Sequence, residues 1–303
     1  MKNIWLVTAI IFSPTFIFCQ GAAFDVHTDI SPASGTNGIS ALSQTVSARI
    51  PLGKKRASAW STGITYKNLL TGNNTYVIND LWLHSIGASL SYRKRTSEKT
   101  VMSISVQPSI WSDFADISGE DLRFNASIHF ANRKSNGGTL GWGIAYSYQF
   151  FGNQITPFID YTFRNSMGRN RKDSTSGTWR IGGALPLRPR IEYVFNRNTA
   201  IGFRLEGNFS SFRLSEKLKS QYLFYREWNA GLYLDQKISG KWYFTAGAGY
   251  AFTRSLQIFD KDQTVPLSFF GNKIAKKYTP SYDNQSKGMV FRIGIQMRLF
   301  PAE

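Results

Sequence analysis

Histidine, the side chain best suited to acid–base chemistry near neutral pH, occurs three times, as His27, His84 and His129. A hydrolase would need one of them beside a serine or similar nucleophile, oriented by a third group. His27 stands between Asp25 and Asp29, a local pattern too common to indicate a site. The sequence contains no clustered His/Cys spacing typical of a metal site. It therefore predicts a protein that is not an enzyme and that carries no metal or other cofactor.

An acidic segment is the second candidate for ion chemistry, with Asp113, Asp116, Glu120 and Asp121 close together. The segment lacks the fixed ligand order and the central glycine of an EF-hand calcium loop. We therefore expect a solvated acidic loop there and no calcium site.

Charged and polar residues that recur at alternate positions are the third group, because alternate residues of a strand share one face. The predicted lumen-lining residues are Arg123, His129, Asp160, Arg164, Arg180, Arg190, Glu192, Arg204, Glu206, Glu227, Asp235, Arg292 and Arg298. Mixed signs on adjacent strands favour a structural network of arginine–carboxylate pairs. The functional alternative is a constriction that selects solutes, in which the excess of arginine would favour anions.

Strands must position these residues, since apolar and polar residues alternate with a period of two from end to end. Each run holds about 9 to 14 residues, which suits a tilted strand that crosses a bilayer. The predicted strands are 22–31, 40–52, 57–68, 80–93, 100–112, 121–132, 139–151, 154–164, 178–186, 190–196, 199–213, 221–236, 241–254 and 286–300. Fourteen is an even number, as a closed antiparallel barrel with both ends on one side requires.

The sequence thus predicts an all-β fold, a closed antiparallel transmembrane β-barrel of about 14 strands with short periplasmic turns and longer extracellular loops. If Pro186–Pro189 is a kink and not a turn, two strands merge, and a barrel of about 12 strands is the alternative. A soluble β-sandwich is the other alternative. The leader, the aromatic residues and the last strand favour the membrane barrel.

Tryptophans indicate which end of the barrel faces the periplasm. Those at the start of upward strands, on the apolar face, are Trp60, Trp142, Trp179 and Trp242. Tryptophans at one height of a barrel are typical of the aromatic girdle at a membrane interface. Both termini are then periplasmic, and the predicted outer loops include 71–79, 112–120 and the longest, 255–285.

The N-terminal residues are typical of an export signal, with Lys2 before an apolar run from Ile4 to Phe18. Cleavage after Cys19 or after Gly21 would leave a single barrel domain, 20–303, without cysteine. We therefore expect an exported protein of the outer membrane that contains no disulfide.

The composition agrees with membrane strands, because 15% of residues are aromatic while mean hydropathy is only −0.25. The formal net charge of +17 does not indicate nucleic-acid binding, since the basic residues lie in separated turns and not along one stripe. We expect outer-membrane lipids as partners, with phosphate headgroups facing the basic rim.

The last strand ends in a pattern that resembles the C-terminal signal read by the barrel-assembly machinery. The residues that carry it are Arg292, Gly294, Met297, Leu299 and Phe300. The sequence predicts that this machinery is a partner during biogenesis.

Three short segments resemble a known family: Pro108–Phe114, Ile155–Ile159 and Ala184–Tyr193. They are similar to a family of uncharacterised Gram-negative outer-membrane β-barrel proteins, a domain of unknown function. The resemblance covers the middle and C-terminal two thirds of the chain. It implies a barrel in the outer membrane and no agreed substrate, so it transfers no functional residue.

Two functions from different classes remain. The first is a passive channel or transporter for a small solute, because fourteen strands lie between filled small barrels and wide porins. The alternative is a non-conducting structural or assembly partner of another envelope protein.

For the long loop Ser255–Gln285, which is rich in aromatic residues, we expect a folded segment that packs over or into the barrel mouth.

Overall fold

The computed structural model describes residues 23–34, 38–55, 57–73, 81–134, 138–149, 152–166, 177–185, 188–215, 221–260, 267–269, 272–273 and 279–298. The predicted leader lies outside these residues. The strands are β1 (Ala23–Ser31), β2 (Ile39–Lys55), β3 (Ser58–Asn73), β4 (Leu81–Arg95), β5 (Thr100–Ser112), β6 (Leu122–Arg133), β7 (Thr139–Gln149), β8 (Gly152–Ser166), β9 (Thr178–Leu185), β10 (Arg188–Val194), β11 (Thr199–Arg213), β12 (Tyr222–Ser239), β13 (Trp242–Phe259), β14 (Leu267–Phe269), β15 (Asn272–Lys273) and β16 (Tyr282–Met297). A short 3₁₀ helix, Gly119–Asp121, precedes β6.

Fourteen strands, β1 to β13 and β16, form one closed wall. Along the chain each wall strand pairs antiparallel with the next, and β1 pairs with β16, for example at Asp29 and Arg292. The prediction of a closed antiparallel barrel of fourteen strands is confirmed. No helix in the described ranges is long and apolar enough to span a membrane.

β9 and β10 form an antiparallel hairpin in which Arg188 pairs with Ala184. The chain therefore reverses between them, and the alternative of about twelve strands is wrong. Gly183 has φ +114°, and a Cβ there would collide with the carbonyl oxygen of Arg188, so only glycine fits this reversal.

Large apolar side chains are exposed on the outer face of the wall at alternate positions. Ile64 is 64% exposed, Leu232 is 62% exposed and Ile293 is 51% exposed. A β-sandwich would bury such side chains between its two sheets, so the soluble alternative is wrong. Trp60, Trp142 and Trp179 are exposed near the N-terminal ends of β3, β7 and β9, and Trp242 begins β13.

The wall is uneven around β9 and β10, which have 8 and 7 residues, whereas β8 and β11 have 15 each. Beyond the short hairpin, β11 leans into the barrel. Residues 210–215 are all buried, although a wall strand would expose every second side chain. Arg213 also pairs in parallel with Ser112 of β5, on the far side of the ring.

The connection between β13 and β16 reaches across the same end of the barrel. Its strand β14 pairs in parallel with β8, with Ser268 opposite Gln154. Much of the loop predicted to pack over the mouth, including Val265, Phe270 and Lys276, lies outside the described residues.

The buried apolar core lies inside the barrel, toward the end opposite the chain termini. We call it the apolar seal; its members are Ile39, Ala41, Leu69, Leu83, Phe212, Leu214, Leu223, Tyr225, Leu256 and Ile258. All are 0–6% exposed, and Trp111 packs against them. The seal closes the half of the lumen opposite the chain termini. We call this half extracellular and the other half periplasmic, because the sequence predicts that both termini are periplasmic.

Candidate functional site

An ion-pair clamp lies at the extracellular end and binds the leaning β11 to the loop before β6. The guanidinium of Arg213 donates from Nε to Oδ1 of Asp121 at 2.9 Å and from Nη2 to Oδ1 of Asp116 at 2.7 Å. The carboxylate of Asp113 accepts a hydrogen bond from the backbone N–H of Ser215 at 2.9 Å. These carboxylates thus anchor the protein's own chain.

The clamp corrects the prediction of a solvated acidic loop. Asp121 is completely buried, and its Oδ2 also accepts the backbone N–H of Ser118 at 2.6 Å, which completes a capping box. The described residues contain no group of three or more His, Cys, Asp or Glu that could hold a metal ion.

Directly beneath the seal lies a cavity of about 350 Å³, which we call the chamber. One side of it is a saturated carboxylate, Glu227. This carboxylate accepts hydrogen bonds from Arg254 Nε at 2.8 Å, from the Tyr225 hydroxyl at 2.8 Å and from Asn229 Nδ2 at 3.0 Å. Arg254 is 0% exposed and donates also to the carbonyl oxygen of Ile39 at 2.9 Å. A buried charge pair needs such additional hydrogen bonds to offset its desolvation.

Two further carboxylates of the chamber, those of Asp29 and Glu206, share one arginine. Arg292 on β16 donates from Nη2 to Oδ2 of Asp29 at 2.9 Å and is 2.8 Å from Oε2 of Glu206. Its Nη1 donates to the other oxygen of Glu206 at 3.1 Å. Nε also bonds to Asp29, so each nitrogen of this guanidinium is occupied.

A third network lies nearer the periplasmic end, around Asp235. Arg298 Nη2 is 2.6 Å and Arg204 Nη2 is 3.1 Å from Oδ2 of this carboxylate, and the Thr245 hydroxyl donates to Oδ1 at 2.7 Å. Glu192 is 3.5 Å from the same arginine, Arg204. Adjacent strands are thereby tied together by charge-assisted hydrogen bonds.

A larger cavity of about 660 Å³, the vestibule, occupies the periplasmic half of the lumen. Small hydroxyl side chains line one side, including Ser105 and Ser127, whose oxygens are 2.8 Å apart. On the other side His129 stacks on Phe158, with ring centroids 5.5 Å apart, and its Nε2 is 3.7 Å from Oδ2 of Asp160.

The vestibule does not contain a catalytic triad. In the described part of the chain no serine hydroxyl is hydrogen-bonded to His129, and its distance from Asp160 is too long for a hydrogen bond. His84 instead lies on the outer face, where it bonds to the Tyr66 hydroxyl at 2.9 Å. His27 bonds to its neighbour Asp25 at 2.9 Å.

The remaining predicted lumen residues lie apart from these networks. Arg123 is buried at the extracellular end and donates to the carbonyl oxygen of Glu120 at 3.0 Å. Arg190 has a side chain that is 54% exposed and lies 3.8 Å from Glu192. Arg180 on β9 is opposite Arg164 on β8 in the strand register, and the side chain of Arg164 lies outside what the structure describes.

Sequence reasoning missed several charged residues of the lumen, among them Lys67, Arg188, Arg254, Asp29 and Arg213. Arg254 was missed because a register shift between Ala251 and Arg254 interrupts the pairing of β13 with β16. Such an irregularity turns a residue from the lipid face to the lumen, so strict alternation places it wrongly. Asp29 could have been found from β1–β16 pairing, which sets it opposite Arg292.

Of the proposed assembly signal, Arg292, Gly294 and Met297 lie in β16, whereas Leu299 and Phe300 lie outside the described residues. A Cβ at Gly294 would approach the carbonyl oxygen of Val26 to 2.7 Å. This glycine therefore also has a packing role in the β1–β16 seam.

Several solved outer-membrane barrels share the architecture. The NanC porin is 8% identical, with a TM-score of 0.39, over 91% of this chain and 99% of that one. The toluene transporter TodX of Pseudomonas putida is 9% identical, with a TM-score of 0.37, over 97% and 93%. The translocator domain of the autotransporter NalP from Neisseria meningitidis is 10% identical, with a TM-score of 0.35, over 98% and 94%. At these values the likeness concerns the barrel fold alone.

Among curated proteins, no sequence matches the chain significantly. A family profile does match, over residues 33–297, which is most of the barrel. The chain therefore belongs to the family described as Domain of unknown function (DUF6268).

Proposed function

We propose that this protein is a passive channel of the outer membrane for a small solute, held closed by its apolar seal. Export would remove the leader after residue 19 or as late as 21. The observation that carries the proposal is that two cavities of the lumen, of about 660 and 350 Å³, lie beneath one apolar barrier. A barrel whose only role was structural would not need cavities lined by charged and hydroxyl groups.

The seal has the composition of a hydrophobic gate. A constriction lined by apolar side chains blocks ions and water by dewetting, without a backbone plug. Leu69, Leu223 and Leu256 are at most 1% exposed and come from three separate strands. Their side chains can separate by a movement of the strand ends, and the leaning end of β11 is the part best placed to move.

An outer-membrane channel also needs machinery that inserts it and lipids that surround it. We propose that the barrel-assembly machinery reads the end of β16, and that outer-membrane lipids surround the exposed apolar face. The basic periplasmic rim, which includes exposed Arg93, Lys94 and Arg95 at the end of β4, would contact phosphate headgroups.

The alternative is a non-conducting structural or assembly partner of another envelope protein. It is favoured by one observation, that side chains fill the extracellular half of the lumen. The basic turns would then face an acidic partner. Co-purification of a stoichiometric envelope protein from gently solubilised membranes, together with electrically silent seal variants, would establish this alternative.

Planar-bilayer recording of purified protein tests the channel. We expect rare, brief openings of the wild type and a conductance at least tenfold larger for Leu69→Ser, because a hydroxyl lets water cross the seal. Ile117→Ser is the matched control, since Ile117 is 64% exposed outside the seal. A folded Leu69→Ser barrel that conducts no more than the control would contradict the proposal. Heat-modifiability on gels establishes folding of each variant.

A further inference from the structure

The chamber beneath the seal has an uneven distribution of charge. Its charged lining residues are Lys67, Arg188, Arg292, Asp29, Glu206 and Glu227. Arg254, behind the wall of the chamber, binds Glu227. Apart from His27, four cations accompany three carboxylates, so one positive charge is in excess.

All three carboxylates are already paired with an arginine, and two arginines are committed to them. Arg292 holds Asp29 and Glu206 through all three of its nitrogens. Arg254 and the Tyr225 hydroxyl hold Glu227. These groups are therefore occupied by one another and are not free to bind a solute.

Lys67 is different, because its ammonium group contacts only neutral oxygens. Nζ donates to Oδ1 of Asn208 at 3.2 Å and to Oγ of Ser210 at 3.0 Å, both on β11 across the lumen. An ammonium group has three N–H donors, so one remains for a ligand in the chamber. Arg188, at the start of β10, also lines the chamber. In the described ranges neither cation forms an ion pair with a carboxylate.

Apolar surface lies beside these two cations. The indole of Trp111, which also packs against the seal, lines the same chamber. A volume of about 350 Å³ is within the range of sites for small organic ligands. One excess cationic charge and an adjacent aromatic wall suit a single carboxylate on a compact apolar body.

We propose that the chamber is a binding site for a small organic monocarboxylate, with its carboxylate held by Lys67 and Arg188 and its apolar body against Trp111. The site names the solute class of the proposed channel and so rests on that function. A carboxylate here would accept the remaining N–H of Lys67 and would balance the excess charge.

Isothermal titration of the purified barrel with benzoate tests the site, with benzamide as its uncharged counterpart. We expect benzoate to bind and benzamide to bind at least tenfold more weakly. Lys67→Gln and Arg188→Gln should each weaken benzoate binding at least tenfold, while Lys94→Gln, at the exposed end of β4, should leave it unchanged. The proposal would be overturned if benzoate failed to bind or if benzamide bound as tightly as benzoate. It would also be overturned if both chamber variants bound benzoate as tightly as the wild type does.

The wild-type comparison of benzoate with benzamide needs no variant, so a variant that fails to fold leaves the test intact. The experiment also separates the two proposals. Conducting seal variants without benzoate binding would leave the channel and reject the site. Benzoate binding by a barrel whose seal variants stay silent would reject the channel and leave the site.

Discussion

The two halves of the lumen differ in how the wide interior of the barrel is filled. Toward the extracellular end, Leu69, Leu83 and Leu223 meet with exposures of 0–1%, and water is excluded. Toward the periplasmic end, hydroxyls and arginine–carboxylate pairs surround open cavities. Fourteen strands enclose more space than side chains fill along the whole length. Closure at one level is sufficient to block the pore.

The two halves of the barrel are therefore stabilised by different interactions. The extracellular half combines apolar burial with fully desolvated ion pairs, so substitutions there remove packing and leave charges without partners. The periplasmic half has partly exposed pairs, whose loss water compensates. The same type of substitution should therefore cost much more in one half than in the other.

The largest effect is expected for Arg254→Met, which leaves Glu227 buried without its cation. Such a loss costs about 3–5 kcal/mol. Urea unfolding in lipid bilayers measures it, and the double variant Arg254→Met/Glu227→Gln should recover part of the loss because it removes the orphaned charge. Equal destabilisation by the single and the double variant would show that packing, and not charge, accounts for the effect.

Arg213→Met should have the next largest effect, because the clamp joins β11 to the loop before β6. The loss of a hydrogen bond to a charged group costs about 1.5–3 kcal/mol. Because Asp116 is partly exposed and water can replace its lost partner, we expect a total loss of about 2–3 kcal/mol. The release of β11 should also increase the opening frequency in bilayer recordings. A destabilised variant with unchanged openings would separate the clamp from the gate.

The fold could be predicted from sequence because alternation, turn residues and the even strand number all reflect one local rule. The seal could not, since it is completed by the end of β11, where the strand leaves the wall and residues 210–215 are buried on both faces. The position of Arg254 depends on the irregularity in β13, which no periodicity reveals. The ion pairs of Asp29 and Arg213 depend on register and on contacts across the ring, which single strands do not encode.

In the periplasmic half, Gly143→Ala should have an intermediate effect of about 1–3 kcal/mol from overpacking. A Cβ there would lie 2.6 Å from the carbonyl oxygen of Ile128 and 2.5 Å from Cζ of Phe158. Gly53→Ala is the matched control, because nothing lies within 4 Å of its Cβ position. The same unfolding assay should separate the two, and equal stabilities would mean that Phe158 moves aside freely.

The smallest effect is expected for Arg190→Gln. Its guanidinium is 3.8 Å from Glu192 and its side chain is 54% exposed, so screening by water limits the pair to about 0–1 kcal/mol. A larger loss in the unfolding assay would mean that the periplasmic half depends on its ion pairs as strongly as the extracellular half.

The direct test of the central claim is the single-channel conductance of two matched variants, Leu223→Ser and Phe158→Ser. Both replace an apolar side chain that faces the lumen, one in the seal and one in the vestibule. If the seal is the sole barrier, Leu223→Ser raises the conductance at least tenfold and Phe158→Ser leaves it at the wild-type level. Equal conductances of the two variants, or a larger one for Phe158→Ser, would contradict the account.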